Sequence, residues 1–419
     1  MSAHSQAAAP QPPLNSGDRA PVYLDHAATH PTLPQAITAM VEQLRRGGNP
    51  SAINSAGRAA RRVLEESRDT IAKLLTADPV EIIFTSGGTE ADNLAVKGLY
   101  AHRHGQDARR TKILISAIEH PAVTESAQYM AAQHGAVVEY IPVDQKGFVD
   151  PDAVRQMIAA DPSAIALVAV MWANNEIGTV QPVARVAQVC HEYAVPLHVD
   201  AVQAFGAIAV DASLPGISTL AVSGHKIGAP VGSGALVVGR EVSVGPILHG
   251  GGQQRSMRPG TMDAAAAVAF ATAAQVVSAD LAEEAERLAT LRDTLIHQIR
   301  AAIPDAVLRG PEDVDHLGVR LPNNVHFTFP GAEGDSLLFL LDAAGFATST
   351  GSACSAGVPR PSTVLLALGL DEDTARGAQR FTLGHGSTRD DVDALLAVLP
   401  DVYAKACAAG MAGRVSSLH

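Results

Sequence analysis

Glu81-Ile82-Ile83-Phe84-Thr85-Ser86-Gly87-Gly88-Thr89-Glu90 is a short apolar run that breaks into a Gly-rich turn and then into a helical pattern from Thr89 to Tyr100. From here onward the chain alternates short apolar runs with helix-like stretches. Lys112–Ser116, Val137–Pro142, Ile165–Met171, Pro196–Val199, Leu220–Ser223 and Ala235–Val238 have the composition of strands. Ala122–His134 and Val183–Tyr193 have that of helices. Strands that are apolar throughout and separated by helices predict a mostly parallel sheet covered on both faces. In such sheets ligands bind beyond the carboxyl ends of the strands, and the polar and glycine-rich residues of this chain cluster there.

Near residue 280 the pattern changes. Asp280–Ile303 carries Leu281, Leu288, Leu291, Leu295 and Ile299 on one stripe, as a long amphipathic helix does. A strand pattern (Asn324–Phe329), a helix (Gly334–Ala344) and a final helix (Thr388–Ala409) follow. The expected organisation is a large α/β domain over 36–279 and a smaller α+β domain built from 21–35 and 280–419. Residues 1–20, rich in Ala, Pro, Gln and Ser, are expected to form a disordered tail; they lack the basic-then-apolar order of a signal peptide.

Composition narrows the function. The 419 residues carry a net charge of −12 and only 4% aromatics, which suits neither nucleic acid nor an anionic membrane surface. No apolar run reaches the roughly 18 residues needed to span a bilayer. The three cysteines, Cys190, Cys354 and Cys407, are far apart, form no metal-ligand spacing, and fit a reducing, cytoplasmic setting.

Three segments carry chemistry. The turn Thr85–Glu90 exposes backbone N–H groups at a helix start, which suits phosphate, although an ordinary tight turn has the same look. It matches neither a Walker A loop nor a dinucleotide fingerprint. Ser223-Gly224-His225-Lys226 follows an apolar strand. The chain has only six lysines, and Lys226 alone stands at a strand end among small residues. A partly desolvated lysine there has a lowered pKa and can form a Schiff base, unless it is simply a loop lysine. His198-Val199-Asp200 ends a strand in an acid, able to hold a protonated ring nitrogen or to serve as a structural ion-pair partner. A phosphate-binding helix start, an Asp at a strand end and a Lys one βα unit later together describe a pyridoxal phosphate site.

At this point the chain resembles the NifS/IscS-type cysteine desulfurases, within the class V aminotransferases. The resemblance lies in Tyr23-Leu24-Asp25-His26-Ala27-Ala28-Thr29, Gly48-Asn49-Pro50-Ser51, Phe84–Glu90, Glu119-His120, Ala173-Asn174-Asn175-Glu176-Ile177-Gly178-Thr179, His198–Asp200 and Ser223–Lys226. It continues in Gly250–Arg255, Arg258-Pro259-Gly260-Thr261, Gly351-Ser352-Ala353-Cys354-Ser355 and Arg380-Phe381-Thr382-Leu383-Gly384. These run in family order through nearly the whole chain. The resemblance implies the pyridoxal 5′-phosphate-dependent transferase fold type I, with a mostly parallel seven-stranded sheet. It implies that Lys226 binds the cofactor and shuttles a proton, that Asp200 meets the pyridine N–H, that Gln203 touches the phenolic oxygen and that His120 stacks on the ring. It gives the phosphate to Gly88, Thr89, Ser223 and His225, with Thr261 reaching it from a second subunit of a homodimer. Asn175, at the edge of the cofactor site, and Arg380 would grip the carboxylate of L-cysteine. Cys354, in the small and polar stretch Thr348–Gly357, would be the sulfur-accepting nucleophile; Cys190 and Cys407 would be bystanders. No metal is implied.

The match has departures. His26 and His30 stand where the family has Asn and Thr. The stretch from Ser355 to Ser362 is long, as in the branch that delivers sulfur to a scaffold protein, while the tail after the last helix is short, which leaves the acceptor open. A selenocysteine lyase, or an aminotransferase or racemase of the same fold, is the alternative enzyme; an aminotransferase or racemase would not need Cys354. A non-catalytic binding partner would not need the full set of site residues.

Overall fold

The computed structural model describes residues 21–313, 318–351 and 361–416, with side chains through 409. The expected 1–20 tail and Cys354 lie outside the described residues. In chain order the elements are β1 (Val22–Tyr23), α1 (Pro34–Arg46), α2 (Ser55–Leu74), β2 (Ile82–Thr85), α3 (Gly88–Gln106), β3 (Lys112–Ser116), α4 (Pro121–His134), β4 (Val137–Ile141), α5 (Pro151–Ala160), β5 (Ile165–Ala169), α6 (Val183–Glu192), β6 (Leu197–Asp200), β7 (Ile217–Ser223) and β8 (Gly234–Val238). They continue as α7 (Ala264–Ala279), α8 (Leu281–Ala302), β9 (Val307–Leu308), β10 (Asn324–Thr328), α9 (Gly334–Ala343), β11 (Phe346–Ala347), α10 (Thr363–Ala367), α11 (Glu372–Arg376), β12 (Ala378–Thr382) and α12 (Arg389–Ser416).

The main sheet has seven strands in the order β2-β8-β7-β6-β5-β3-β4. β7, β6, β5, β3 and β4 pair in parallel, and β8 lies antiparallel between β2 and β7. All five residues of β5 are buried, as expected for a strand covered on both faces. One face packs on α1, α2, α5, α6 and α7 through residues such as Leu64, Ile158, Val186 and Phe270. The other packs on α3 and α4 through Leu94, Leu99, Val123 and Met130. Thr85, Ser116, Asp200 and Ser223 therefore emerge at one edge of the sheet.

A second apolar core gathers Leu288, Leu295 and Ile299 of α8 with Phe327, Leu337, Phe381, Leu395 and Leu399. It is built on the antiparallel sheet β12-β10-β9 and takes in Leu24 from the start of the chain. The N-terminal segment is stitched there by β1 pairing with β11 and by the Asp25–Thr382 bridge. α7 and α8 meet at a 71° bend beside Asp280, between the two cores. No single helix among the described residues is long and apolar enough to cross a membrane.

Local chemistry sets the element ends. The Asn54 side chain accepts from Gly57 N–H to start α2, and Asp263 accepts from the Ala265 and Ala266 N–H groups to start α7. Gly135 closes α4 with φ 69°, a conformation open to glycine at little cost. The last helix continues past its expected end at Ala409 to Ser416, and the strand expected to reach Met171 stops at Ala169.

Candidate active site

The edge of the sheet receives the turn Asp25–Thr29 from the N-terminal segment. Tyr23 OH donates to Asp25 O (3.0 Å) and Thr29 O (2.9 Å), and Ala27 N–H donates to Thr382 Oγ1, so the turn is held at both ends. Its carbonyls face Lys226. The Lys226 ammonium donates to Ala27 O at 2.5 Å and Ala28 O at 2.8 Å, and Gln203 Nε2 donates to the same Ala27 O at 3.0 Å. Burial, joined by the nearby Arg380, brings the Lys226 pKa down from 10.5 to about 8, against the pull of Asp200 and Asp25.

Asp200 ends β6, 5% exposed, and one carboxylate oxygen accepts from Val202 N–H at 2.9 Å. Burial pushes its pKa up, while His120, that N–H bond and Lys226 push it down. His120 caps α4 by accepting from Ala122 N–H at 3.1 Å, with Pro121 at the first helical position. Burial lowers its basicity; Asp200 opposes this and Lys226 adds to it. His120 and Thr89 line one cleft of about 700 Å³. His225, beside Lys226, is brought to about 4 mainly by burial, and its Nδ1 lies 3.2 Å from Thr29 Oγ1.

Gly87, Gly88 and Ser223 meet where β2 and β7 end. A Cβ on Gly87, whose φ is 150°, would lie 3.8 Å from Ser223 Oγ; one on Gly88 would come within 2.6 Å of Val202. The turn accordingly requires glycine, and its backbone faces the serine hydroxyl. Glu90 stays in the first turn of α3, where it accepts from Ser86 N–H and pairs with Arg258 at 2.8 Å.

Across the site, Arg380 of β12 donates to Asn175 O and to the Asp25 carboxylate, each at 2.8 Å. Its Nε is buried and has no partner among the described residues. The structure thus brings Lys226, Gln203, Asp200, His120, His225, Asn175 and Arg380 around one edge, with Gly88, Thr89 and Ser223 on the adjoining turn. Thr261 stands apart: it is exposed and shares a separate cavity with Thr85, Ser86 and Arg258.

Residues 22–395 match the family model described as aminotransferase class-V. The chain belongs to the class-V aminotransferase family. Among relatives it is 48% identical, over 94% of its length and 99% of theirs, to an IscS-like cysteine desulfurase of Mycobacterium tuberculosis. It is 40% identical to the cysteine desulfurase IscS of Clostridium botulinum, over 91% of this chain and 94% of that one. A solved NifS-like protein superimposes with a TM-score of 0.83 at 31% identity, covering 92% of this chain and all of the other. A structure of SspA in complex with cysteine gives 0.72 at 30% identity, over 86% and 98%.

Class-V aminotransferases work with pyridoxal 5′-phosphate, and this site fits that group. Ser223 Oγ is buried with no partner among the described residues, next to the start of α3, whose first N–H groups have no intrahelical acceptor. A buried hydroxyl left unpaired is costly, and a phosphate oxygen satisfies it. An amine of lowered pKa and a buried acid complete the donor set on the same edge.

Several residues carry weight that sequence patterns did not reveal. Asp25 pairs with Arg380, and Tyr23 staples the turn; both belong to the quoted N-terminal segment, but nothing in their spacing announces a partner more than 350 residues away. Asp92 and Glu119 are buried carboxyls near enough to Asp200 for its charge to raise their pKa. Gln254 pairs through its amide with both backbone groups of Phe84, pinning the 250–261 segment along β2.

Proposed function

We propose that the protein is a cysteine desulfurase that converts L-cysteine to L-alanine and leaves the sulfur on Cys354 as a persulfide for delivery elsewhere. The observation that carries this reading is the site edge itself, with Lys226, Asp200 and Arg380 on one opening, in a chain whose relatives bear that name over nearly its full length.

Gly88 and Thr89 at the start of α3, with Ser223 and His225, hold the cofactor phosphate, and Thr261 reaches the phosphate of a second subunit in a homodimer. Asp200 keeps a proton on the ring nitrogen, Gln203 meets the phenolic oxygen and His120 covers the ring. When bound, pyridoxal 5′-phosphate supplies an electron sink for negative charge at the substrate α-carbon. Lys226, with its pKa lowered from 10.5 to about 8, has a far larger free-amine fraction at neutral pH than an ordinary lysine, so it can attach to a carbonyl and take the α-proton. Arg380, oriented by Asp25 and Asn175 and with Nε unpartnered, receives the substrate carboxylate, with Asn175 beside it.

Sulfur transfer balances without an outside oxidant. The Cys354 thiolate attacks the substrate sulfur; the carbon–sulfur bond breaks, a sulfur–sulfur bond forms, and the carbon keeps the electron pair and takes a proton to give alanine. Cys190 is unsuited to this role: it is buried in α6, and burial pushes its thiol up to about 12. The sparse free thiols support a reducing compartment such as the cytoplasm. An acceptor protein, such as an iron–sulfur scaffold, then takes the sulfur. We also assign 36–279 to the cofactor-binding domain and 21–35 with 280–419 to the smaller one.

Incubation with L-cysteine and a reducing thiol tests the reading. It predicts sulfide and alanine in equal amounts; transamination without sulfide from the cofactor-loaded protein would contradict it.

A further inference from the structure

Asp92 of α3, Glu119 ahead of α4 and Asp200 at the end of β6 converge from three elements beneath the site, at 1%, 5% and 5% exposure. No lysine or arginine pairs with any of them among the described residues. The basic groups that face them are His198 against Asp92, and His120 and Lys226 toward Asp200. Three carboxylates crowded together away from water cannot all stay ionised.

We propose that Asp92 and Glu119 are positioning residues held as neutral acids, so that Asp200 presents the single carboxylate charge to the cofactor. This rests on the reading of Asp200 as the partner of the cofactor ring. Only Asp200 has a cation, Lys226, to stabilise its charge, because burial brings His198 beside Asp92 down to about 3 and keeps it neutral. Glu119 accepts from Ser116 Oγ and, at 2.7 Å, from Met171 N–H through one oxygen, while its Oε2 is buried with no partner among the described residues. A bare carboxylate oxygen at such a place is far more costly than a protonated one. Asp92 Oδ1 lies 3.2 Å from His198 Nε2, and His198 Nδ1 lies 2.9 Å from Thr219 Oγ1. With Asp92 protonated, each contact has one donor: Asp92 O–H to Nε2, and Nδ1–H to Thr219 Oγ1. Burial first, and Asp200 second, drive Asp92 upward; burial likewise takes Glu119 to about 8, with Asp200 adding to it.

The test uses the cofactor-loaded enzyme and the pH at which its visible absorption titrates. Asp92→Asn and Glu119→Gln replace neutral acids with neutral amides, so each midpoint stays within about half a unit of the parent, whereas Asp200→Asn, which removes the charge that keeps the ring nitrogen protonated, moves it by about 1 unit or more in either direction. A shift of about 1 unit or more in either amide variant would show that a charge was removed, and would overturn the proposal. An unmoved midpoint in Asp200→Asn alone would overturn the reading of Asp200, and the proposal with it. The infrared spectrum of the parent needs no variant to fold: protonated-carboxyl carbonyl bands that shift in deuterated water are expected at pH 7, and their absence would overturn the proposal.

Discussion

Arg380 and Asp25, 355 positions apart, form a 2.8 Å ion pair that joins the central antiparallel sheet of the second core to the turn that receives Lys226. The guanidinium is 4% exposed and the carboxylate side chain 20%. One contact thereby orients the proposed substrate-carboxylate site and the carbonyls facing the reactive amine.

Removing Asp25 strands a buried cation. Asp25→Ala is expected to lower unfolding stability by about 2–3 kcal/mol, below the loss for a fully buried pair because Asp25 is partly solvated. It should also raise KM for L-cysteine more than it lowers kcat. Denaturant unfolding and steady-state kinetics check both, and Arg380→Lys should not rescue Arg380→Ala, because the fork is lost.

The lowered pKa of Lys226 sets a pH profile for cofactor capture. The free amine is the nucleophile, so the rate at which the apoenzyme takes up pyridoxal 5′-phosphate should rise with pH and level off above about 8. A lysine at its ordinary 10.5 would give a rate still climbing at pH 10. Stopped-flow absorbance across pH 6–10 separates the two, and reductive trapping should place the cofactor on Lys226.

Ser223 carries a buried hydroxyl with no partner among the described residues, which the phosphate is proposed to satisfy. Ser223→Ala should leave the apoenzyme as stable as before or slightly more so, yet weaken cofactor binding about tenfold, the worth of one hydrogen bond to a charged group. Titration of the apoenzyme with the cofactor measures this. Unchanged affinity would remove Ser223 from the phosphate site.

His326 lies on β10 with both ring nitrogens buried and unpartnered among the described residues. Burial, then Arg380, Arg320 and Arg309, takes it from 6.5 to about 3. The unfolded chain binds a proton at about 6.5 that the native state refuses, so stability is full above that pH and falls as pH drops toward 3. This residue alone should cost about 2 kcal/mol between pH 6.5 and 5. His326→Leu should flatten the stability curve by that amount in denaturant titrations at the two pH values; parallel curves would contradict it.

Much of this was legible because most strands of the main sheet are short apolar runs. Ile82–Phe84, Lys112–Ser116 and Ala235–Val238 stand out between polar turns, and the Gly87-Gly88 and His225-Lys226 corners mark their ends. The Ala264–Ala279 helix was not legible: it is packed on nearly every side against α1 and α2, so it has no polar face to reveal a period. β12 escaped because all five of its residues are buried and they include Gln379 and Arg380, which breaks both alternation and apolar continuity. The Asp25–Arg380 pair and the convergence of Asp92, Glu119 and Asp200 exist only through tertiary contact, so no local pattern encodes them.

The central claim is that Cys354 takes sulfur from L-cysteine. A single turnover without reducing thiol, followed by peptide mass spectrometry and alanine assay, tests it most directly. The account predicts one alanine per cofactor and a Cys354 peptide heavier by one sulfur atom, with no such product in Cys354→Ala. Alanine formed in full by Cys354→Ala, or sulfur found on Cys190 or Cys407 instead, would contradict it.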